Sequence, residues 1–419
     1  MFEAGYFMPN RQLFDNFGSV IFLAAIGTIS NAIAICATLY YLGQLHFFSI
    51  PFSLFEILLF AAPISAVDPV AVIAVFEEIH VNDFLFIHVF GESLFNDSIT
   101  VVLYIMFLKF IAFGEDNIYW YHYFAVGGSF FLIAGGGILI GIIAAVALMT
   151  KFSINLPTVS QISVFIVPYL AYLSAELFGM SSIFAIVVCG ILMKDYIKAN
   201  ISNETRIFTK QAVKAFAQCT ENLAFFLLGI TSIIGNLHRD FAFIGFSLAC
   251  CLCYRIIAIM IQCSVLNPFK KQKFGFIEQI ILSFSGLRGA IAYGLAASMP
   301  DTIKAKPMFL ANFMACIFFS VFIQGIAIRP LLNFLKVERK NMEAQTVAEN
   351  LNNRVADLTM EGIESVAGIS DKNSLRQKFE SFNTNYLVPF LTVSKEDNPN
   401  AIMLKRKYQN VLIENVFVY

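Results

Sequence analysis

Apolar runs of helix length, parted by short polar breaks, recur from the start of the chain to about residue 331. A membrane span needs about 17 to 25 mostly apolar residues, fewer where the segment is broken or re-entrant. On that measure ten runs are predicted spans, centred near residues 30, 64, 98, 137, 169, 187, 226, 253, 290 and 318. The sixth, 182–193, is short. The stretch after it, 200–218, is amphipathic, as expected of a helix lying along a membrane surface. Beyond Leu332 the hydropathy falls. There "NSLRQKFESFNTNYLVPF" spaces Leu375, Phe379, Phe382, Tyr386 and Phe390 at three- and four-residue intervals, which predicts one amphipathic helix over 373–391, broken near Pro389. Its apolar face needs cover, from the rest of the tail or from a partner's groove. The predicted organisation is an all-α polytopic membrane domain over 1–331 and a helical cytosolic tail over 332–419.

Composition agrees with this pattern. Hydrophobic residues make up 58% of the 419, charged residues only 14%, and mean hydropathy is +0.72, well above a soluble domain. The eight cysteines, Cys36, Cys189, Cys219, Cys250, Cys251, Cys253, Cys263 and Cys316, fall in or beside apolar runs without paired loop spacing or a Cys/His metal pattern, and read as buried free thiols. A net charge of -1 and the lack of a basic aromatic patch argue against a nucleic-acid partner. No cleavable signal peptide is evident, since polar residues follow Met1 almost at once. Lysine and arginine gather in 194–214, in 270–273 and after Arg329, which ten crossings place on one side. Both termini are therefore expected in the cytosol. The glycosylation patterns at Asn200 and Asn203 then fall on the cytosolic side and read as chance matches.

Several charges interrupt the apolar runs. In the third, "VFGESLFNDSITVVLY", Ser93, Asp97, Thr100 and Tyr104 share one helical stripe, whereas Glu92 points about 140° away. A mid-membrane carboxylate costs about 2.5 to 3.5 kcal/mol on insertion scales, so it serves an ion or proton path or is held by an arginine. The second run, "SAVDPVAVIAVF", has Pro69 directly after Asp68 and Pro63 one turn earlier, and the ninth, "FSGLRGAIAYGLA", sets Gly286, Gly289 and Gly294 around Arg288. Both read as interrupted helices, which free backbone groups at a depth where only a protein-lined or wet site tolerates them. Broken spans meeting at the midplane are the pattern of secondary transporters. Runs 2 and 9 are seven apart, an odd offset, so they cross in opposite directions as an inverted repeat requires. Glu176, Glu221 and Arg255 are the remaining charges in the runs. Two cations against several acids predict ion pairs, with Arg255 and Arg288 as structural partners of Asp68, Glu92, Glu176 or Glu221. Asp97 reads as the acid left free and Glu92 as a structural charge. "GGGILIG", with Gly137 and Gly141 four apart, reads as close helix packing.

The motifs "SAVDPVAVIAVFEEIHVNDFLFIHVFGESLFNDSITVVLY", "AYLSAELF", "KANIS" and "GLRGAIAYGLA" together resemble the animal sodium/proton exchangers of the NHE family, in its plasma-membrane branch, over essentially all of residues 3 to 395. The resemblance implies a cation/proton antiporter (NhaA-like) fold with inverted repeats and crossed discontinuous helices. It also implies a homodimer and electroneutral exchange of external sodium for cytosolic protons by alternating access, regulating intracellular pH, sodium and volume, with no cofactor and no enzymatic step. Carried over, the ion-binding acid is Asp97, where Na+ would sit, with Asn96 beside it and Asp68 on the adjoining broken helix. Arg255, Arg288, Glu176 and Glu221 match the family's intramembrane charges. The helix around Leu375 to Phe390 is similar to a site for a calcineurin B-homologous EF-hand protein, and the basic segment after Arg329 to one that senses acidic membrane lipids.

Elementary chemistry makes such an exchange intelligible. A carboxylate that holds a sodium ion or a proton in turn carries the same charge in both states. An amide such as that of Asn96 adds a ligand oxygen without a second titrating group. The chain departs from the family in opening at "FEAGYFMPNRQ", which resembles the end of an earlier span, so the family's first few membrane helices are missing and an incomplete start is expected. Phe284 and Phe95 stand where the family often has Tyr and Leu. The competing reading is a non-transporting subunit or dominant-negative partner of a full-length exchanger. A channel fits less well, because two interrupted helices and one carboxylate site suit alternating access better than a continuous pore.

Overall fold

Helices long enough to cross a bilayer and apolar on most faces can satisfy their backbone only internally, so they stack side by side. The computed structural model describes residues 1–337 apart from 69, 114–119, 149–156, 201–202, 235–236 and 271, with isolated positions at 352, 355–356 and 359. Among the described residues the regular structure is helical, and each of the ten runs lies in helix. Two short helices, α1 (Phe2–Phe7) and α2 (Asn10–Asp15), lead into α3 (Phe17–Gln44). The second run is split into α4 (Leu54–Ser65) and α5 (Val70–Ile79), and the third is α6 (Asp83–Phe113). Then follow α7 (Trp120–Leu148), α8 (Pro157–Leu177), α9 (Ser182–Asn200), α10 (Asn203–Ile234) and α11 (Phe241–Leu266). The ninth run is split into α12 (Phe276–Phe284) and α13 (Ala290–Ala297). The tenth is α14 (Lys306–Phe318), continued through a π-helical segment, Phe319–Gly325, into α15 (Ile326–Phe334).

Among the described residues six stretches, including Phe17–Gln44, Asp83–Ala112 and Phe241–Phe269, are long and apolar enough to cross a membrane. At about 1.5 Å per residue such helices exceed a hydrocarbon core of about 30 Å. Side-chain contacts between the linking segments agree with alternate crossing. Ser49, before α4, bonds His238 and Asp240, before α11. Lys270, after α11, bonds Asn16 at the start of α3, and Arg329 of α15 pairs with Glu78 near the end of α5 at 2.9 Å.

Two bodies of packing matter for the site. One core joins α3, α4 and α6 to α11, α13 and α14. At its centre the Phe60 ring lies 5.2, 4.8 and 5.1 Å from those of Phe243, Phe309 and Phe313. The other gathers α1, α7, α8 and α9, which approach through small residues. A side chain at Gly137 would strike the Ser181 backbone, and one at Gly141 would come within 2.6 Å of the Ala185 carbonyl oxygen, so the glycines of "GGGILIG" serve contact with α9.

Some expectations change. Residues 203–218 are not a separate surface helix but the first half of the 32-residue α10, because no Gly or Pro interrupts the hydrogen-bond ladder before Gly229. The last helix runs to Phe334, three residues beyond the expected boundary at 331. All eight cysteines are free, but Cys219 and Cys253 are exposed, since they lie on faces of α10 and α11 turned away from the protein core. The tail helix expected over 373–391, with Leu375, Phe379, Phe382 and Tyr386, lies outside the described residues.

Candidate functional site

The two broken helices meet at their gaps. α4 stops at Ser65, where Pro63 has withdrawn one backbone donor and Ala66 turns extended, its N–H reaching back to the Pro63 carbonyl at 3.1 Å. α12 stops at Phe284, and α13 restarts at Ala290 with Gly289 extended before it. Across the gaps the Asp68 N–H donates to the Leu287 carbonyl at 2.8 Å, and Arg288 Nη1 donates to the Ala66 carbonyl at 2.7 Å. A side chain at Gly289 would overlap the Asp68 carboxyl group, so this approach requires glycine. The charges suit the helix ends they face: the Arg288 cation meets the carbonyl end of α4, and the Asp68 carboxylate lies at the amide end of α13. Behind the gap the π-helical segment supplies two further holds. Ser320 Oγ accepts from the Arg288 N–H at 3.2 Å, and Gln324 Nε2 donates to the Phe284 carbonyl at 2.7 Å.

α6 lays its polar stripe against this crossing. Ser93 Oγ donates to the Val67 carbonyl at 2.7 Å, fixing α6 to the gap between α4 and α5. Asp97 is buried one turn further along, and lies close enough to Asp68 for the two charges to interact. Asn96 Oδ1 accepts from Thr28 Oγ1 of α3 at 2.7 Å and from Thr100 Oγ1 at 3.2 Å, which orients the amide. Tyr104, also on the stripe, is buried with its hydroxyl unpartnered among the described residues. The result is a buried set of carboxylate, amide and hydroxyl groups beside backbone carbonyls that a helix break frees from the helical ladder. Such a donor set suits a proton or a hard cation rather than a soft metal. Among the described residues no group of three or more His, Cys, Asp or Glu could hold a resident metal ion.

The remaining charges separate into different surroundings. Glu92 meets Arg255 in a two-pronged pair, Nη1 on Oε1 and Nη2 on Oε2, and Arg255 Nη2 also donates to the Leu282 carbonyl at 3.1 Å. Glu221, on α10, is half-buried and feels the charges of Asp68 and Glu3. Glu176 does not join the core expected for it. Ala171 and Ala175 carry the buried face of α8, so the next residue turns outward and is exposed. Pro63, Gly286 and Gly289 stand at or beside the gaps, and Pro69 lies outside the described residues. Thr28, Ser320 and Gln324 were not singled out from sequence. Their only local mark is a polar side chain within an apolar run.

Comparison with known proteins bears on this geometry. A family model described as "Sodium/hydrogen exchanger, transmembrane" matches residues 1–334. The chain is 47% identical over 418 residues to "Probable Na(+)/H(+) antiporter nhx-3" of Caenorhabditis elegans, covering 99% of this chain and 62% of that protein. It is 38% identical over 411 residues to "Sodium/hydrogen exchanger 2" of Oryctolagus cuniculus, covering 97% of this chain and 51% of that protein. The chain thus spans only part of the length of these relatives. Among solved structures, the sodium proton antiporter MjNhaP1 of Methanocaldococcus jannaschii superposes with a TM-score of 0.53 at 17% identity, over 80% of this chain and 81% of that one, which speaks for the fold.

Proposed function

The chain belongs to the sodium/hydrogen exchanger family, and from that premise we propose that it exchanges external sodium for cytosolic protons at Asp97 by alternating access. The observation that carries this reading is the buried Asp97 carboxylate beside an oriented amide oxygen and the crossing of two broken helices. In one state Asp97 holds sodium, with Asn96 and nearby hydroxyl oxygens as further ligands. In the other it holds a proton. The occupied site carries the same charge in both, so a cycle moves one cation each way and no net charge. Arg288 and Asp68 hold the crossing, and the Glu92–Arg255 pair fixes α6 to α11 and thereby to α12. In the same reading residues 332–419 are a regulatory tail in the cytosol, where both termini lie, and the protein works as a homodimer in the plasma membrane. A calcineurin B-homologous protein docks on 373–391, and acidic lipids bind the basic segment after Arg329. These placements rest on the motif resemblance and the lysine and arginine bias of the loops.

The test is intracellular pH recovery after an acid load in exchanger-deficient cells, with and without external sodium. Sodium-dependent recovery is expected from this chain, insensitive to a potassium/valinomycin clamp of membrane potential. Asp97→Asn should abolish it with surface expression unchanged. Full exchange in that variant removes Asp97 from the role given to it.

A further inference from the structure

The α3–α6 pair holds its polar groups in register. Ser19 meets His88 at 3.0 Å and Thr28 meets Asn96 at 2.7 Å, so the two helices run the same way and Asn31 comes level with Ile99 and Thr100. Both helices start beside Lys270, on the side read as cytosolic, and each further turn leads outward. Around Asp97 the hydroxyl and amide groups are engaged: Ser93 donates to the Val67 carbonyl, and Thr28 and Thr100 donate to Asn96. Further out, two oxygens are not.

Asn31 lies one turn beyond Thr28 on the same face of α3, and Tyr104 lies two turns beyond Asp97 on its stripe of α6, about 10 Å further along the axis. They are 3% and 5% exposed. Among the described residues Asn31 Oδ1 and the Tyr104 hydroxyl have no hydrogen-bond partner, and they are the only buried side-chain nitrogen or oxygen atoms of α3 and α6 in that condition. A buried oxygen without a partner is rare in a folded protein and calls for a donor or a cation. An amide oxygen and a phenol oxygen are neutral ligands suited to a hard cation, and neither adds a charge at neutral pH to the one at Asp97.

We propose that Asn31 Oδ1 and the Tyr104 hydroxyl oxygen are ligands for the transported alkali cation on its way between the outside and Asp97. This deepens the exchanger reading and rests on it. In the state open to the outside a sodium ion sheds water against Tyr104, passes to Asn31 and ends on Asp97 and Asn96. The two residues are as closed to solvent in this structure as Asp97 itself, and the opening that admits an ion to Asp97 admits it to them. Because both oxygens are neutral, the one-for-one balance at Asp97 is kept.

The experiment measures sodium binding to the purified full chain in detergent, as displacement of radioactive sodium by unlabelled sodium in a scintillation proximity assay. Asn31→Leu and Tyr104→Phe keep the bulk of each side chain and remove its oxygen, and each should raise the displacement midpoint at least fivefold. Without sodium, their half-lives at elevated temperature should equal or exceed the parent's, since what is lost is an unpaired group, whereas a structural role through a bridging water predicts shorter ones. Ser247→Ala removes an equally buried, unpartnered hydroxyl from α11 and should leave the midpoint within twofold. In acid-loaded cells the external sodium KM should rise with the midpoint, while half-saturation by cytosolic sodium in reverse exchange stays within twofold. A midpoint that moves in neither variant, or moves equally in Ser247→Ala, overturns the pair, and equal rises on both sides of the membrane overturn its outward place. Binding abolished by Asp97→Asn but untouched by the two variants leaves the exchanger reading standing and this inference fallen. Binding that survives Asp97→Asn but is weakened by both variants does the reverse, and a parent chain that binds no sodium overturns both.

Discussion

Removing Arg255 tests what holds α6 against the crossing. Arg255→Met leaves the Glu92 carboxylate, 2% exposed, without a counter-charge in a dry core. Breaking one side of a buried pair costs about 3–5 kcal/mol, because the remaining charge stays desolvated and uncompensated. The double variant Glu92→Leu with Arg255→Met behaves differently. It removes both charges and the unpartnered Nε, and the Leu282 carbonyl still accepts from Ser285 Oγ at 2.9 Å. Replacing a buried pair by apolar groups is often neutral or mildly stabilising. The single variant should therefore lose stability and the double should regain most of it. The assay is the half-life of monodisperse protein in detergent at fixed elevated temperature, followed by size exclusion. A loss of about 3 kcal/mol carried in the unfolding rate shortens that half-life by about two orders of magnitude. The double variant should stay within about tenfold of the parent. Equal half-lives for the single and double variants would refute the idea that the uncompensated Glu92 charge is the source of the cost.

Other tests address the site and its surroundings. Thr28→Val removes one of two hydroxyl donors to Asn96 Oδ1, and at about 1 kcal/mol for a lost hydrogen bond it should raise the apparent sodium KM roughly fivefold with expression unchanged. An unaltered KM would show that Asn96 is oriented without it. Gly289→Ala drives a methyl group into the Asp68 carboxyl group, whereas Gly294→Ala meets nothing within 4 Å. Sodium-dependent recovery should be lost in the first and kept in the second. Outside the membrane, burial works to raise the Asp240 carboxyl, but hydrogen bonds from the Ser49 N–H and hydroxyl and from the Phe243 and Ala242 N–H groups outweigh it and hold its pKa low. A depressed folded value means the clamp contributes above the ordinary carboxylate pKa of about 3.9 and is lost as pH falls through the lower folded value. Hydrogen exchange in the segment joining α3 to α4 should stay protected from neutral pH to below about 4, and Ser49→Ala should move that loss to higher pH.

Sequence periodicity located much of this architecture. The ten apolar runs are all helical, and both interruptions marked by Pro63 and by Gly286 and Gly289 are real gaps. That information is local. Hydropathy, proline and glycine act on the few residues around them, and a charge in an apolar run announces itself through its own desolvation cost. Partner choice is not local. Glu92 meets Arg255 across 163 residues, and Thr28 reaches Asn96 across 68, distances over which no spacing rule operates. Glu176 shows the converse: a lone acid in an apolar run looks buried, yet Ala171 and Ala175 take the inward face of α8 and turn it out. The π-helical segment that offers Ser320 and Gln324 to the α12–α13 gap likewise has no periodic signature. By itself, then, the sequence determined the membrane class, the two broken helices and the acid worth watching, because each depends on short-range chemistry. Which arginine Glu92 meets and which way Glu176 faces were decided only when helices far apart in the chain packed together.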